Sequence, residues 1–174
     1  MPHNVHGMQG ADRGLTVWNV LRLLLGPWQR EGLGTGGLVM AKIAGGCLCG
    51  KVRYSAEGEP VFVGVCHCTD CQKFTGSAFA AVVAVAKPAF SLQGKVTTYS
   101  KIGDTGKSIS RQFCPECGSS IADEADAMPG VVMIASGTLD DTSWVKPGTE
   151  IYCDSAQSWV RLGGEMQSFA KMPG

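Results

Sequence analysis

Seven of the eight cysteines in this chain fall into three tight groups: Cys47 with Cys49; Cys66, Cys68 and Cys71; and Cys114 with Cys117. Pairs separated by one or two residues close almost no chain loop, so as structural disulfides they gain little. As thiolates on one zinc-class cation the same spacings work, because neighbouring sulfurs reach a single ion without further chain ordering. Thiols reserved for a metal also place the chain in a reducing compartment, the cytoplasm.

Seven ligands exceed one tetrahedral ion and fall one short of two. Structural zinc sites are four-coordinate and closed, whereas catalytic ones keep a position open. The two remote pairs, Cys47 and Cys49 with Cys114 and Cys117, suit a structural site. Such a zinc contributes about 10–16 kcal/mol of apparent binding energy, more than the net stability of a typical domain. Cys66, Cys68 and Cys71 then form a three-sulfur claw with a vacant position for water or a substrate thiol. Other divisions stay open. One zinc on Cys47, Cys49, Cys66 and Cys68 leaves three sulfurs over, and His67 or Cys153 could close the second site. Strand alternation turns His67 away from its neighbours' sulfurs, and an isolated thiol such as Cys153 is by default a small core residue.

The elements that must present these ligands read as β. Glycine is abundant, at 24 of 174 residues, and Val, Thr and Ser punctuate short apolar runs, which favours strands and tight turns. Cys47 and Cys49 are expected in an extended segment running into Lys51–Ser55, followed by a turn at Glu57-Gly58-Glu59-Pro60. Val61–Val65 returns as a strand carrying the central cluster, and a short helix follows, with Thr69 as its N-cap and Gly76-Ser77 at its end. Phe79–Ala86 is a buried strand stopped before Pro88. Further strands are expected at Phe90–Leu92, Val96–Tyr99, Ser108–Phe113, Ser120–Asp123, Val131–Ser136 and Thr149–Cys153, with a loop-like tail after Trp159. Cys114-Pro115-Glu116-Cys117-Gly118 has the composition of a metal knuckle: Pro sets the turn and Gly lets the chain leave with amides directed at sulfur.

Formal net charge is zero and charged residues make up 17%, with no basic block, so neither nucleic acid nor an anionic membrane surface is an expected partner. Residues 1–42 read as an N-terminal extension, loosely ordered or holding one short helix within Leu15–Trp28, and residues 43–174 as the zinc-binding domain. Arg22 interrupts the apolar run, which is too short and polar to span a bilayer and makes a poor signal peptide. Met40 is a plausible true start. The sharper reading of Leu15–Trp28 is an amphipathic helix that docks on a partner.

Taken together, Gly46-Cys47-Leu48-Cys49-Gly50-Lys51-Val52-Arg53-Tyr54, Cys66-His67-Cys68-Thr69-Asp70-Cys71-Gln72-Lys73 with Gly76-Ser77, Arg111-Gln112-Phe113-Cys114-Pro115-Glu116-Cys117-Gly118-Ser119 and Gly137-Thr138-Leu139-Asp140-Asp141 resemble the motifs of a family. It is the glutathione-dependent formaldehyde-activating enzymes, related to centromere protein V. The resemblance covers about Ile43 to Pro173. It implies a mainly β fold of the Mss4-like zinc-binding superfamily: small curled antiparallel sheets organised around zinc, with few short helices. It also implies a structural zinc on Cys47, Cys49, Cys114 and Cys117 and a catalytic zinc on Cys66, Cys68 and Cys71.

The implied activity joins glutathione to formaldehyde or a related aldehyde, and is classed by its reverse as a carbon–sulfur lyase. Glutathione would be the cosubstrate, bound as thiolate at the open zinc, with the aldehyde oxygen polarised by zinc or a donor such as Ser77. Lys73, Arg53 and Arg111 could hold substrate carboxylates, although solvated surface cations are the plainer reading of each. Trp144 and Trp159 either wall the pocket, pack in the core or make a subunit contact, the last fitting a homo-oligomer. Two alternatives stand beside this function. One is a non-catalytic zinc module that binds a protein partner; the other is a related zinc lyase acting on a different thiol–aldehyde adduct. A filled fourth position at the claw, with no cleft beside it, separates the first of these from an enzyme.

Overall fold

The computed structural model of the chain describes residues 42–173. The readings placed on the N-terminal extension, including the Leu15–Trp28 helix and the start at Met40, lie outside those residues, apart from Lys42, which opens the first strand.

The fold is mainly β and built from two sheets. Three strands, β1 (Lys42–Gly46), β2 (Arg53–Glu57) and β5 (Phe90–Gln93), form a small antiparallel sheet in the order β1-β2-β5. The large sheet contains β3 (Phe62–Cys66), β4 (Ala80–Ala86), β6 (Thr97–Ile102), β7 (Ser108–Phe113), β8 (Ser120–Ala125), β9 (Val131–Ala135), β10 (Thr149–Ile151) and β11 (Gln167–Ser168). Its order is β11-β10-β3-β4-β9-β8-β7-β6. The α-helix α1 (Thr69–Thr75) follows β3.

The core lies between the sheets. Tyr54 and Ala56 of the small sheet, with Val52 just ahead of β2, meet Val83, Val85, Ile121, Val132 and Ile134 of the large one, all of them buried. β-branched side chains suit this interface because they stand stiffly off a pleated surface. The apolar run Ala80–Ala86 is buried because β4 lies inside the large sheet, between β3 and β9. Among the described residues, Tyr54 is the one large polar side chain in this core cluster. Its hydroxyl is hydrogen-bonded to Thr138 Oγ1 at 2.8 Å, which offsets the cost of burying it.

Three local expectations are corrected. Cys47 and Cys49 do not share the face of a strand. They sit in the turn between β1 and β2, closed by Gly50 N–H donating to Cys47 O at 3.0 Å, with Gly50 at φ +77 where a side chain would be strained. The N-cap of α1 is Cys68 rather than Thr69; its Sγ accepts from Cys71 N–H at 3.3 Å, a thiolate-compatible sulfur taking the place of the usual hydroxyl. The tail after Trp159 is not all loop, since β11 pairs with β10.

β10 also pairs with β3, and both of its pairings are parallel while the other pairings are antiparallel. Residues far apart in the chain are thereby laid side by side: Ile151 opposite Cys66 and Glu150 opposite Val65.

Gly45 carries the seam between the sheets at its tightest point. It pairs with Tyr54 and bridges to Leu139, and a Cβ there would collide with the Tyr54 hydroxyl and the Thr138 carbonyl. Gly45→Ala is expected to cost at least about 1–3 kcal/mol, the usual range for overpacking. The check is a urea denaturation curve, which should shift to a lower midpoint at unchanged slope.

Candidate metal centre and its cleft

Two turns bring the first four thiols together. Cys47 and Cys49 come from the β1–β2 turn of the small sheet, and Cys114 and Cys117 from the β7–β8 turn of the large one. Gly118 at φ +72 closes the second turn by donating to Cys114 O at 2.9 Å. All four sulfurs lie within 4.8 Å of one another. Cys47 and Cys49 are 3.4 Å apart and Cys49 and Cys114 are 3.8 Å apart. A tetrahedron with zinc–sulfur bonds of ~2.3 Å has edges of ~3.8 Å, so the set fits a four-coordinate thiophilic cation.

Around Cys47 and Cys117 the surroundings favour ionised sulfur. Val52 N–H donates to Cys47 Sγ at 3.2 Å, and Ser119 Oγ lies 3.3 Å from Cys117 Sγ. The hydroxyl and amide of Ser119 hold the Cys117 thiol down at about 5. Ser119 Oγ also accepts from Leu48 N–H at 3.0 Å, so one side chain links the two turns. Lys51 and Glu116 pair across the outside at 2.8 Å, an exposed contact of little energetic weight.

The second group is Cys66, Cys68 and Cys71, again with sulfurs within 4.8 Å of one another. Cys66 ends β3, Cys68 caps α1 and Cys71 lies in its first turn. Hydrogen bonds from Cys66 and Cys71 hold Cys68 down at about 2, while sharing protons with Cys68 and Cys71 pushes Cys66 up. Three sulfurs this close cannot all ionise without a cation between them, which is the chemistry of a thiolate metal site. Among the described residues the group stops at three. Beside it opens a cleft of about 310 Å³, at the small end of the range for ligand pockets, whose lining includes all three cysteines. All eight cysteines are free thiols.

Arg111 is the basic residue that the structure brings to this group. It is 3% exposed, donates through Nη2 to Cys71 Sγ at 3.7 Å and through Nη1 to Asp123 Oδ2 at 2.8 Å, and stacks over the Phe74 ring at 5.0 Å. It is therefore no solvated surface cation. Burial pushes the Asp123 carboxyl up to about 6 despite the Arg111 charge, and its Oδ1 has no hydrogen-bond partner. Both residues line the cleft.

Other expected contributors lie elsewhere. Lys73 and Ser77 are exposed beyond the cleft lining. Arg53 is bound by Asp140, with its Nη1 2.9 Å from Oδ1. Trp144 and Trp159 also stand outside the cleft, at 36% and 73% exposure. Asp123, Asp104, Lys107, Thr149, Tyr152 and Lys171 line it instead. Tyr152 has the positive φ of 58 that turns the chain out of β10, and its hydroxyl donates to Asp104 Oδ1 at 2.6 Å. Among these the sequence carries no local mark, since sheet pairing brings them together.

Removing one partner of a buried ion pair strands the other charge. Arg111→Met is expected to destabilise the fold by about 3–5 kcal/mol, and Arg111→Met with Asp123→Asn to recover part of that loss. Denaturation midpoints of the two variants against the parent make the comparison.

A family model described as glutathione-dependent formaldehyde-activating enzyme matches residues 42–155. No curated protein matches the chain. Among solved structures, the crystal structure of a Rhodobacter sphaeroides protein aligns over 56% of this chain and 87% of its own, at 20% identity and a TM-score of 0.46. The family match runs through both thiol turns, the three-sulfur group and β10, and this chain belongs to the glutathione-dependent formaldehyde-activating enzyme family.

Proposed function

We propose that this protein joins a small thiol, glutathione, to formaldehyde or a related aldehyde, and cleaves the same bond in reverse as a carbon–sulfur lyase. The observation that carries this reading is a three-sulfur group in the wall of a cleft, with no fourth Cys, His, Asp or Glu grouped with it among the described residues. A purely structural module would gain nothing from that arrangement, since a fourth side chain would bind a metal more tightly.

Cys66, Cys68 and Cys71 are the ligands we assign to a catalytic zinc, and Cys47, Cys49, Cys114 and Cys117 those of a structural zinc that fastens the two turns. A zinc held there would supply a Lewis acid that favours ionisation of an incoming thiol. In the forward reaction the thiol sulfur attacks the carbonyl carbon. A carbon–sulfur bond forms, the carbon–oxygen π pair moves to oxygen, and that oxygen takes up the proton the thiol gave up. Arg111 holds Cys71 in position and offsets part of the negative charge of the sulfurs. Lys107 and Lys171 are exposed cations in the cleft lining, suited to the two carboxylates of glutathione. Reduced glutathione and unpaired thiols belong together in the reducing cytoplasm.

Cys71→Ser is expected to abolish thiol–aldehyde turnover while leaving a folded chain that has lost one zinc equivalent relative to the parent and keeps the structural zinc, measured by steady-state assay alongside metal analysis. Unchanged turnover in that variant would falsify the catalytic assignment. Lys107→Ala and Lys171→Ala are each expected to raise KM for glutathione about two- to fivefold with kcat little changed, as fits loss of an exposed ion pair. A fall in kcat at constant KM would remove these lysines from substrate binding.

A further inference from the structure

The parallel pairing of β10 with β3 sorts side chains by face. Cys66 and Ile151, opposite one another, line the cleft, and so do Cys68 and Thr149. His67, just past the end of β3, and Glu150, between Thr149 and Ile151 in β10, are absent from that lining and border a different cavity. There they meet Cys153, and one donor atom of each of the three lies within 4.8 Å of the others. His67 Nε2 is 3.2 Å from Glu150 Oε2. A separate cavity of about 260 Å³ adjoins them, bounded further by Ala156, Val160, Arg161 and Leu162.

Two features single this cluster out. His67 is 2% exposed, and its Nδ1 has no hydrogen-bond partner. A fully buried imidazole with one nitrogen unused is uncommon, because the orphan costs free energy. Glu150, in turn, is steadied from behind, since Ser168 Oγ donates to its Oε1 at 2.5 Å. Oriented carboxylates of this kind are typical of the surroundings of metal sites.

We propose that His67, Glu150 and Cys153 form a further metal site, separate from the seven-cysteine set and suited to a zinc-class divalent cation. One nitrogen, one oxygen and one sulfur donor match the mixed preference of zinc. With bonds of ~2.0–2.1 Å, two light ligands on a tetrahedral ion stand ~3.3 Å apart, close to the Nε2–Oε2 separation found. The cation takes the Nε2 lone pair, and the ring proton passes to Nδ1. The 3.2 Å Nε2–Oε2 hydrogen bond gives way to a cation held between the same two atoms. Cys153 releases its thiol proton to solvent and binds as thiolate. Three protein donors leave a position facing the cavity. Arg161 also lines this cavity, with its Nη1 donating to the carbonyls of Ser158 and Val160 at 2.7 and 2.8 Å.

The test uses the full-length, zinc-loaded protein. The parent is expected to bind one more equivalent of zinc than Cys153→Ser in equilibrium dialysis with metal analysis. Ser168→Ala, which removes only the oxygen steadying Glu150, should weaken that additional equivalent about tenfold. A second measurement needs no variant: added zinc should slow alkylation of Cys153 by iodoacetamide at least about tenfold, read by mass spectrometry, as expected once the thiol is held by metal. Equal zinc content in parent and Cys153→Ser, or alkylation of Cys153 indifferent to zinc, would overturn the proposal.

Discussion

The molecule depends on the meeting of two thiol-bearing turns that belong to different sheets. Cys47 and Cys49 close the small sheet at one end, Cys114 and Cys117 join two strands of the large one, and their sulfurs stand near tetrahedral spacing. Four sulfurs at that distance repel one another once ionised, so the arrangement is stable as a thiolate cluster only around a cation. Ser119 bonds to both turns, and the buried Val, Ile and Tyr side chains between the sheets extend the same junction inward. The clip and the core therefore act on one interface.

A different device builds the cleft. The pairing of β3 with β10 runs parallel across more than eighty residues of sequence, a connection whose loop-closure cost is met only by the completed sheet. In exchange it separates two chemistries within a few ångströms. Cys66 and Cys68 face one cavity, and His67, between them, faces another with Glu150 and Cys153.

Charge is balanced inside the cleft rather than at its rim. Arg111 reaches Cys71 on one side and Asp123 on the other, so one buried cation answers two acidic groups. A planar guanidinium suits that bridging role better than an ammonium would. The remaining cations of the cleft, Lys107 and Lys171, are exposed and free to meet a solvated ligand.

Local chemistry determined a good deal of this. The Cys-x-Cys and Cys-x-x-Cys spacings, the Pro and Gly of the Cys114–Cys117 turn, the end of α1 at Gly76 and the apolar run of β4 are properties of neighbouring residues, and each is found where the sequence places it. Which thiols stand together was already favoured by counting ligands, although Cys47 and Cys49 converge through a turn and not a strand, because Gly50 can adopt the positive φ that closes it. Tertiary structure alone decided the rest. Asp123, Tyr152 and Glu150 carry no mark in linear order, and Arg111, His67 and Cys153, which the sequence offers as candidates, find their partners only in the fold. Their roles arise from strand register and burial, which depend on contacts between distant segments and so exist only once both sheets have formed.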